Sequence, residues 1–396
     1  MPLQPHMQLI STDDHLIEHP RLWTDRLPKK HLENGPKIIE KLMPKAINPG
    51  NGAAIGEGLS ERPAQVWEYE GRIYPYIGLN AVAGKKPEEY GVEPTRYEDM
   101  LPGCYDPKAR VADMDIDGVH ATLSFPSFPR FAGTVFLEGK DLELALLSVQ
   151  AWNDYVLDEW CPTAPDRLIP LTILPLWSIE DCVKEIHRTA AKGSRTISFP
   201  ENPVPLGLPS FHTDHWDPVF AAAVETEQPL CVHFGTSGQA PITAPEAPMA
   251  VMISLFGCNS MYATADLLFS PVFHKHPGLK FLLSEGGVGW VPYLLERMDA
   301  TWSKHRHYQN IDPTVRPSEL FAKHIHGCFI EDDFGIANRH AIGIDNITWE
   351  SDYPHSDSNW PNSRKLVHES MLHVPDEDVH KIVELNARKL FNFPRS

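Results

Sequence analysis

The sequence predicts an α/β protein, a (β/α)8 TIM barrel with an insertion between its first two strands. Three observations predict it. Eight short apolar runs rich in β-formers alternate with helix-like segments, the pattern of parallel βαβ units. Those runs are nearly continuous in apolar residues, as strands covered on both faces are. Polar residues able to do chemistry gather where the runs end, and barrels of this kind carry their sites at the C-terminal ends of the strands.

The first run, MQLIST (7–12), leads into Asp13, Asp14 and His15, with Glu18 and His19 just behind. Residues 20–105 then break the rhythm, being too long for a single crossover. They hold a Gly/Pro-rich loop, INPGNGAAIGEGLSERP (47–63), and a stretch that reads as a small hairpin, WEYEGRIYPYIGL (67–79). A long irregular stretch inside a compact domain is usually functional. Residues 20–105 are therefore expected to form an inserted segment covering the barrel mouth, a lid or dimer element, within a single barrel domain spanning 1–396. The remaining strands are expected at 119–126, 167–175, 195–200, 229–235, 279–285, 325–330 and 346–352. Residues 141–160 and 291–305 place apolar side chains at i, i+3 and i+4, the spacing of an amphipathic helix.

Composition narrows the function. With 42% hydrophobic residues in 396, the chain can bury a large core. Length alone suggests two or three domains, but α/β barrels run long as one. The formal charge of −18 argues against nucleic-acid and anionic-membrane partners. There is no apolar run of about 18 residues and so no expected transmembrane helix. The start, MPLQPHMQ, lacks the basic and apolar regions of a signal peptide. The six cysteines are scattered without a CxxC pair, which fits reduced thiols. No G-x-G-x-x-G follows a strand, so a dinucleotide fold has no support. These features lead to the expectation of a cytoplasmic protein whose partner is a small-molecule substrate.

Several strand ends carry groups that can work together. Side chains two apart on a strand share a face, so Asp13 and His15 point the same way and Asp14 points elsewhere. His233 lies on the fifth strand, Glu285 ends the sixth, and Asp352 ends the eighth, with His355 and Asp357 beyond it. Asp13, His15, His233 and Asp352 form a mixed nitrogen and oxygen set open to water or substrate. Such a set suits one divalent ion per chain, zinc first and manganese second. An ion with an open position polarises a substrate oxygen or lowers the pKa of water. Plainer readings exist for each residue: Asp13 and Asp14 as turn caps, His15 and His233 as buried strand histidines, Asp352, His355 and Asp357 as loop residues, Glu285 as a cap or salt-bridge partner. The common rim weakens all of these together. In LSFPSFPRFAG (123–133), each X-Pro step favours extended backbone at Phe125 and Phe128. Those rings beside Arg130 would suit an aromatic or alicyclic carboxylate, although a packing cluster would look alike. Trp290 and His355 are further candidates for the pocket wall, and His212 and His215 are read as loop residues.

The blocks TDDHLIE (12–18), CVHFG (231–235), LKFLLSEGGVGWVPYLLERMD (279–299) and ITWESDYPHSDSNWP (347–361) resemble the amidohydrolase-related family. The branch in question includes aminocarboxymuconate-semialdehyde decarboxylase and the resorcylate-type decarboxylases. The last two blocks are the most specific. The resemblance implies a (β/α)8 barrel with one catalytic divalent metal held by Asp13, His15, His233 and Asp352, and it implies a homodimer. Two departures stand out. Many members have His-x-His on the first strand, where this chain has Asp13-x-His15, although some decarboxylases have Glu-x-His. The sixth strand usually ends in a histidine that activates water or moves a proton, and here it ends in Glu285. A glutamate does general-base work if its surroundings raise its pKa, and it could equally be a fifth ligand.

The first expectation is a metal-dependent hydrolase. In that reading Asp352 and the ion activate water, Glu285 and His233 assist, and the attack falls on an amide, lactone, ester or C–C bond beside a carbonyl. The alternative is a metal-dependent non-oxidative decarboxylase of an aromatic or unsaturated acid, toward which Asp13 and Arg130 lean. A third reading, a barrel kept only for binding, conflicts with the cost of burying four converging polar groups without a ligand.

Overall fold

A computed structural model describes residues 3–44, 61–244 and 246–395. Its strands, in chain order, are β1 (Ile10–Leu16), β2 (Lys37–Pro44), β3 (Glu61–Tyr69), β4 (Arg72–Pro75), β5 (Ala121–Pro126), β6 (Leu168–Ile169), β7 (Leu171–Thr172), β8 (Thr196–Ser198), β9 (Leu230–His233), β10 (Phe281–Ser284), β11 (Ile325–Phe329) and β12 (Ile347–Trp349). All but β2–β4 form one parallel sheet in the order β6-β5-β1-β12-β11-β10-β9-β8-β7. The two ends of that order, β6 and β7, are consecutive pieces of one run parted at Pro170. Proline has no N–H to donate to a ladder, so the run pairs with β5 on one side of the break and with β8 on the other. The nine pieces are thus the eight barrel strands, and the ring closes through the chain at Pro170.

Each of the eight expected strands is present, but shorter, except at β1. That strand starts at Ile10 and extends through Leu16, so Asp13, Asp14 and His15 lie within it rather than after it. Helices follow the strands in turn, including Pro107–Asp117, Leu142–Tyr155, Ile179–Ala191, Asp217–Glu225, Phe256–Phe269 and Val291–His305. The expected helix 141–160 has Asp141 as its N-cap, accepting from the backbone N–H of Glu143 and Leu144, and its last turn, Val156–Trp160, widens into π geometry. The strands are buried along their whole length in β5, β9, β10 and β12, which explains their unbroken apolar character. Among the described residues, one helical run, Met249–Phe269, is long and apolar enough to cross a bilayer by length and composition, and 33% of its apolar window is buried.

The insertion builds its own antiparallel sheet, β2-β3-β4. The expected hairpin is β3–β4, turned through Glu70 and Gly71 at φ 47° and 74°, the double left-handed turn that suits twisted hairpins. Of the expected loop 47–63, residues 47–60 lie outside the described residues. The small sheet docks through aromatic rings: Trp67 is 4.9 Å from Trp23 and 4.9 Å from Phe128, and Tyr74 is 5.5 Å from Phe128. Buried Glu18 ties the same region together. It accepts from the backbone N–H of Ser127 and Phe128, from Trp152 Nε1 and from the Tyr76 hydroxyl, at 2.5–3.2 Å. Beyond the sheet, Val82 N–H donates to the Pro354 carbonyl at 2.9 Å, which brings the insertion against the loop after β12.

Candidate metal centre

Four barrel strands deliver polar groups to one point. In β1 the pairing with β5 slips between Ser11 and Asp14, a bulge of the kind that re-aims side chains beside active sites. Asp13, inside this shift, and His15, beyond it, face inward. Asp14 faces outward to Ser11 Oγ, Thr122 and the N–H of Tyr353, with Arg110 4.0 Å away. Burial pushes the Asp14 carboxyl up to about 7 against these partners. His233 closes β9. Glu285 and Asp352 come directly after β10 and in the turn after β12, both in the left-handed region at φ 54° and 56°. That conformation is costly for a residue with a Cβ, and it concentrates at functional sites. His355 follows Asp352 by one turn.

The donor atoms converge. His15 Nε2 is 3.1 Å from Asp352 Oδ1 and 3.6 Å from Asp13 Oδ1. His233 Nε2 is 3.4 Å from Asp13 Oδ2 and 2.9 Å from Glu285 Oε2. His355 Nδ1 is 3.3 Å from Asp352 Oδ1. All six residues are buried, four of them at 0% exposure. His233 Nδ1 is 2.9 Å from the Phe234 carbonyl, which can only accept. The ring proton is therefore on Nδ1, and Nε2 turns a lone pair into the site.

Burial and neighbouring charges shift the ionisation of these groups. Burial first, then Glu350, Asp352 and Asp14, raises the Asp13 carboxyl well above its ordinary range. Burial, then Asp352 and Asp13, does the same to Glu285. Burial lowers His233 to about 3 and lowers His15 as well, with His355 adding to the effect. Asp352 is held low: burial pulls it upward, but His355 and His15 outweigh that. Both oxygens of Asp13 and of Asp352, both nitrogens of His15, His233 Nε2 and Glu285 Oε2 are buried without a hydrogen-bond partner. So many orphaned groups in one place are far outside the normal pattern of satisfied buried polar atoms.

A divalent ion fits this set. Atoms bound about 2.1 Å from one ion at about 90–110° lie roughly 3.0–3.4 Å apart, close to the spacings found. Asp13, His15 and His233 form one compact ligand group, and His15, Glu285, Asp352 and His355 form another that shares His15. A single ion taking one donor atom from each residue would answer an oxygen of Asp13 and of Asp352, Nε2 of His15 and of His233, and Oε2 of Glu285.

The other expected site residues divide. Phe125 lies 5.2 Å from His233 and 6.0 Å from His15, as a pocket wall would. Phe128 does not: it is enclosed by Trp23, Trp67, Tyr74 and Phe136 and belongs to the packing of the insertion. Arg130 is also corrected. Its guanidinium, 46% exposed, pairs with Glu138 at 2.7 Å and takes no part in the cluster. Trp290 is half-buried and donates to the carbonyls of Gly286 and Gly287, bracing the turn after Glu285. His212 pairs with Asp266 on the surface, His215 is exposed beside Trp216, and Asp357 is partly buried, which raises its carboxyl to about 6.

Two features went unread in the sequence. Phe131 is nearer the centre than Phe125, 4.1 Å from His233 and 4.7 Å from His15. Behind the centre, buried Glu350 accepts from the Cys328 thiol at 2.6 Å and from the Glu285 N–H at 3.1 Å. The first was legible only as a third phenylalanine in LSFPSFPRFAG. The second had no signal beyond a glutamate two residues before Asp352.

A family model described as Amidohydrolase matches residues 46–393. The match includes His233, Glu285, Asp352 and His355 and begins after β1, leaving Asp13 and His15 outside it. Similar solved structures include an amidohydrolase from Mycobacterium avium subsp. paratuberculosis K-10, 22% identical with a TM-score of 0.72 over 98% of this chain and 100% of that one. Another is 5-carboxyvanillate decarboxylase LigW2 from Novosphingobium aromaticivorans with bound manganese and 3-methoxy-4-hydroxy-5-nitrobenzoic acid, 18% identical with a TM-score of 0.65 over 98% and 97%. A third is 2,6-dihydroxybenzoate decarboxylase from Rhizobium, 16% identical with a TM-score of 0.61 over 98% and 99%. At these identities the likeness is one of fold.

Proposed function

Because the chain belongs to the amidohydrolase family, we propose that it is a metal-dependent, non-oxidative decarboxylase of an aromatic carboxylic acid. The sequence reading puts hydrolysis first. Decarboxylation is preferred here because the solved neighbours include decarboxylases of hydroxylated benzoates. The observation that carries the reading is the pair of rings beside the cluster, Phe125 and Phe131, each within 6.0 Å of His15 and His233. They suit a flat aromatic substrate presented edge-on to the donors.

Asp13, His15, His233 and Asp352 would hold the ion. Manganese becomes our first choice, because the set is rich in carboxylate and a decarboxylase neighbour carries manganese. When bound, the ion would supply positive charge that stabilises an anionic substrate and the electron pair left on its ring. Phe125 and Phe131 orient the ring and keep water from it. The bond between ring carbon and carboxylate then breaks, CO2 leaves, and the electron pair stays on the ring carbon until a proton arrives. His355 is our choice of proton donor: its Nε2 is buried without a partner, and its Nδ1 faces Asp352 Oδ1 at 3.3 Å. We also propose a homodimer, as the sequence resemblance implies.

The test is product analysis on manganese-loaded protein with 2,6-dihydroxybenzoate, 5-carboxyvanillate and related hydroxybenzoates, beside a panel of esters, lactones and amides. Released CO2 with one new ring C–H supports the proposal. Turnover of the second panel, with oxygen from labelled water in the product and no CO2 from the first, restores hydrolysis.

A further inference from the structure

We infer that Glu285 is itself a ligand of the ion, so that this chain builds a centre of three carboxylates and two imidazoles. The inference rests on the metal-dependent reading above, though not on which bond is cleaved.

The first argument is the direction of lone pairs. The His233 proton is on Nδ1, committed to the Phe234 carbonyl. Its Nε2 lone pair faces Glu285 Oε2 at 2.9 Å and Asp13 Oδ2 at 3.4 Å. Acceptors aimed at one another repel unless something positive lies among them. A proton on Glu285 would satisfy His233 alone. It would leave both Asp13 oxygens, both Asp352 oxygens and His15 Nε2 without a partner. One cation would answer an oxygen of each aspartate and both imidazole Nε2 atoms together, and Glu285 Oε2 lies 2.9 Å from His233 Nε2 and at ligand spacing from His15 and Asp352.

The second argument is the backbone. Asp352 reaches the site from a left-handed residue at φ 56°, and Glu285 does the same at φ 54°. A residue with a side chain adopts that conformation at a cost, and the same device serves a ligand on β12 and Glu285 on β10. The turn is held fast on both sides. The Glu285 N–H donates to buried Glu350, and Gly286 admits no side chain, since a Cβ there would meet Ser260 Oγ at 2.2 Å. Such fixing holds the Glu285 carboxylate at one place and orientation, as a metal ligand requires.

Five protein donors, three of them anionic oxygens, describe a hard-ion centre with one position left in an octahedron. Structural and catalytic zinc sites are typically four-coordinate, so manganese is preferred over zinc.

The experiment uses full-length, metal-stripped protein titrated separately with manganese(II) alone and zinc(II) alone against a competing chelator, with electron paramagnetic resonance of the manganese form. Glu285→Gln should weaken manganese at least about tenfold, alter the manganese spectrum and weaken zinc less, and Glu285→Asp should recover part of the loss. Wild-type manganese affinity and spectrum in Glu285→Gln would overturn the inference and make Glu285 a base or a proton-bearing partner of His233. If Glu285→Gln does not fold, Glu285→Asp decides alone: an unchanged manganese spectrum overturns the inference, a changed one supports it. Metal loss in Glu285→Gln, beside manganese-loaded wild type that releases no CO2 from any hydroxybenzoate, would sink the decarboxylase reading and leave this inference standing. A wild-type protein that holds neither ion would overturn both.

Discussion

The rings of His15 and His355 lie face to face, centroids 3.7 Å apart and planes 13° from parallel. One ring comes from the first barrel strand and the other from the turn after the last. Asp352 joins them, with Oδ1 3.1 Å from His15 and 3.3 Å from His355. This arrangement fixes the plane of His355, whose Nε2 is buried without a partner.

His355→Ala is therefore expected to keep its metal and lose turnover by about 10²–10⁴, the usual contribution of a positioned acid or base. Asp352→Asn, which removes a charged ligand, is expected to lose both. Elemental analysis beside rate measurement separates the two variants. Metal loss in His355→Ala would make that residue a ligand instead.

Phe128 gives a prediction of the opposite kind. It is 3% exposed and surrounded by the aromatic rings that dock the inserted sheet. Phe128→Ala should destabilise by about 3–5 kcal/mol, the cost of emptying an aromatic core position, with metal affinity unchanged. Urea unfolding monitored by tryptophan fluorescence reads it. An unshifted midpoint, or a change in substrate KM without a change in stability, would return Phe128 to the pocket wall.

Metal-free protein should have an unusual pH response. Burial raises Glu350 from 4.5 to about 8, with Asp352 and Asp14 adding to the rise. Between those values the folded state keeps a proton that the unfolded state has released. Stability therefore is greatest below about 4.5 for this group and falls as pH rises toward 8, by up to about 1.4 kcal/mol per pH unit. Thermal unfolding of chelator-treated Glu350→Gln and wild-type protein from pH 5 to 8 checks this. The wild-type midpoint should fall more steeply, and parallel curves would refute the assignment.

Much of the fold was legible because its signals are local. Each barrel strand shows as an apolar run, and the face shared by Asp13 and His15 follows from alternation. Residues whose orientation depends on a backbone exception were not legible. The X-Pro steps predict extended backbone at Phe125 and Phe128, but Arg130 adopts φ 57°. The chain turns there, carrying Phe131 to the centre and Arg130 to Glu138. The X-Pro steps gave no hint of that left-handed residue. Glu285 and Asp352 show in the sequence as carboxylates at strand ends, while the left-handed turns that aim them inward are invisible in composition. Glu18, Tyr76 and Trp152 meet only because the insertion folds back, and contacts between residues so distant in sequence leave no periodic trace.

The place of β1 between β5 and β12 bears on how the protein is made. Thr12 and Thr348 meet across that junction at 2.9 Å, though 336 positions part them along the chain. Asp13 and His15 are therefore translated well before Asp352. A polypeptide that stops before β12 would lack Asp352 and could not complete the proposed centre. Metal occupancy would then separate chains that carry β12 from those that do not.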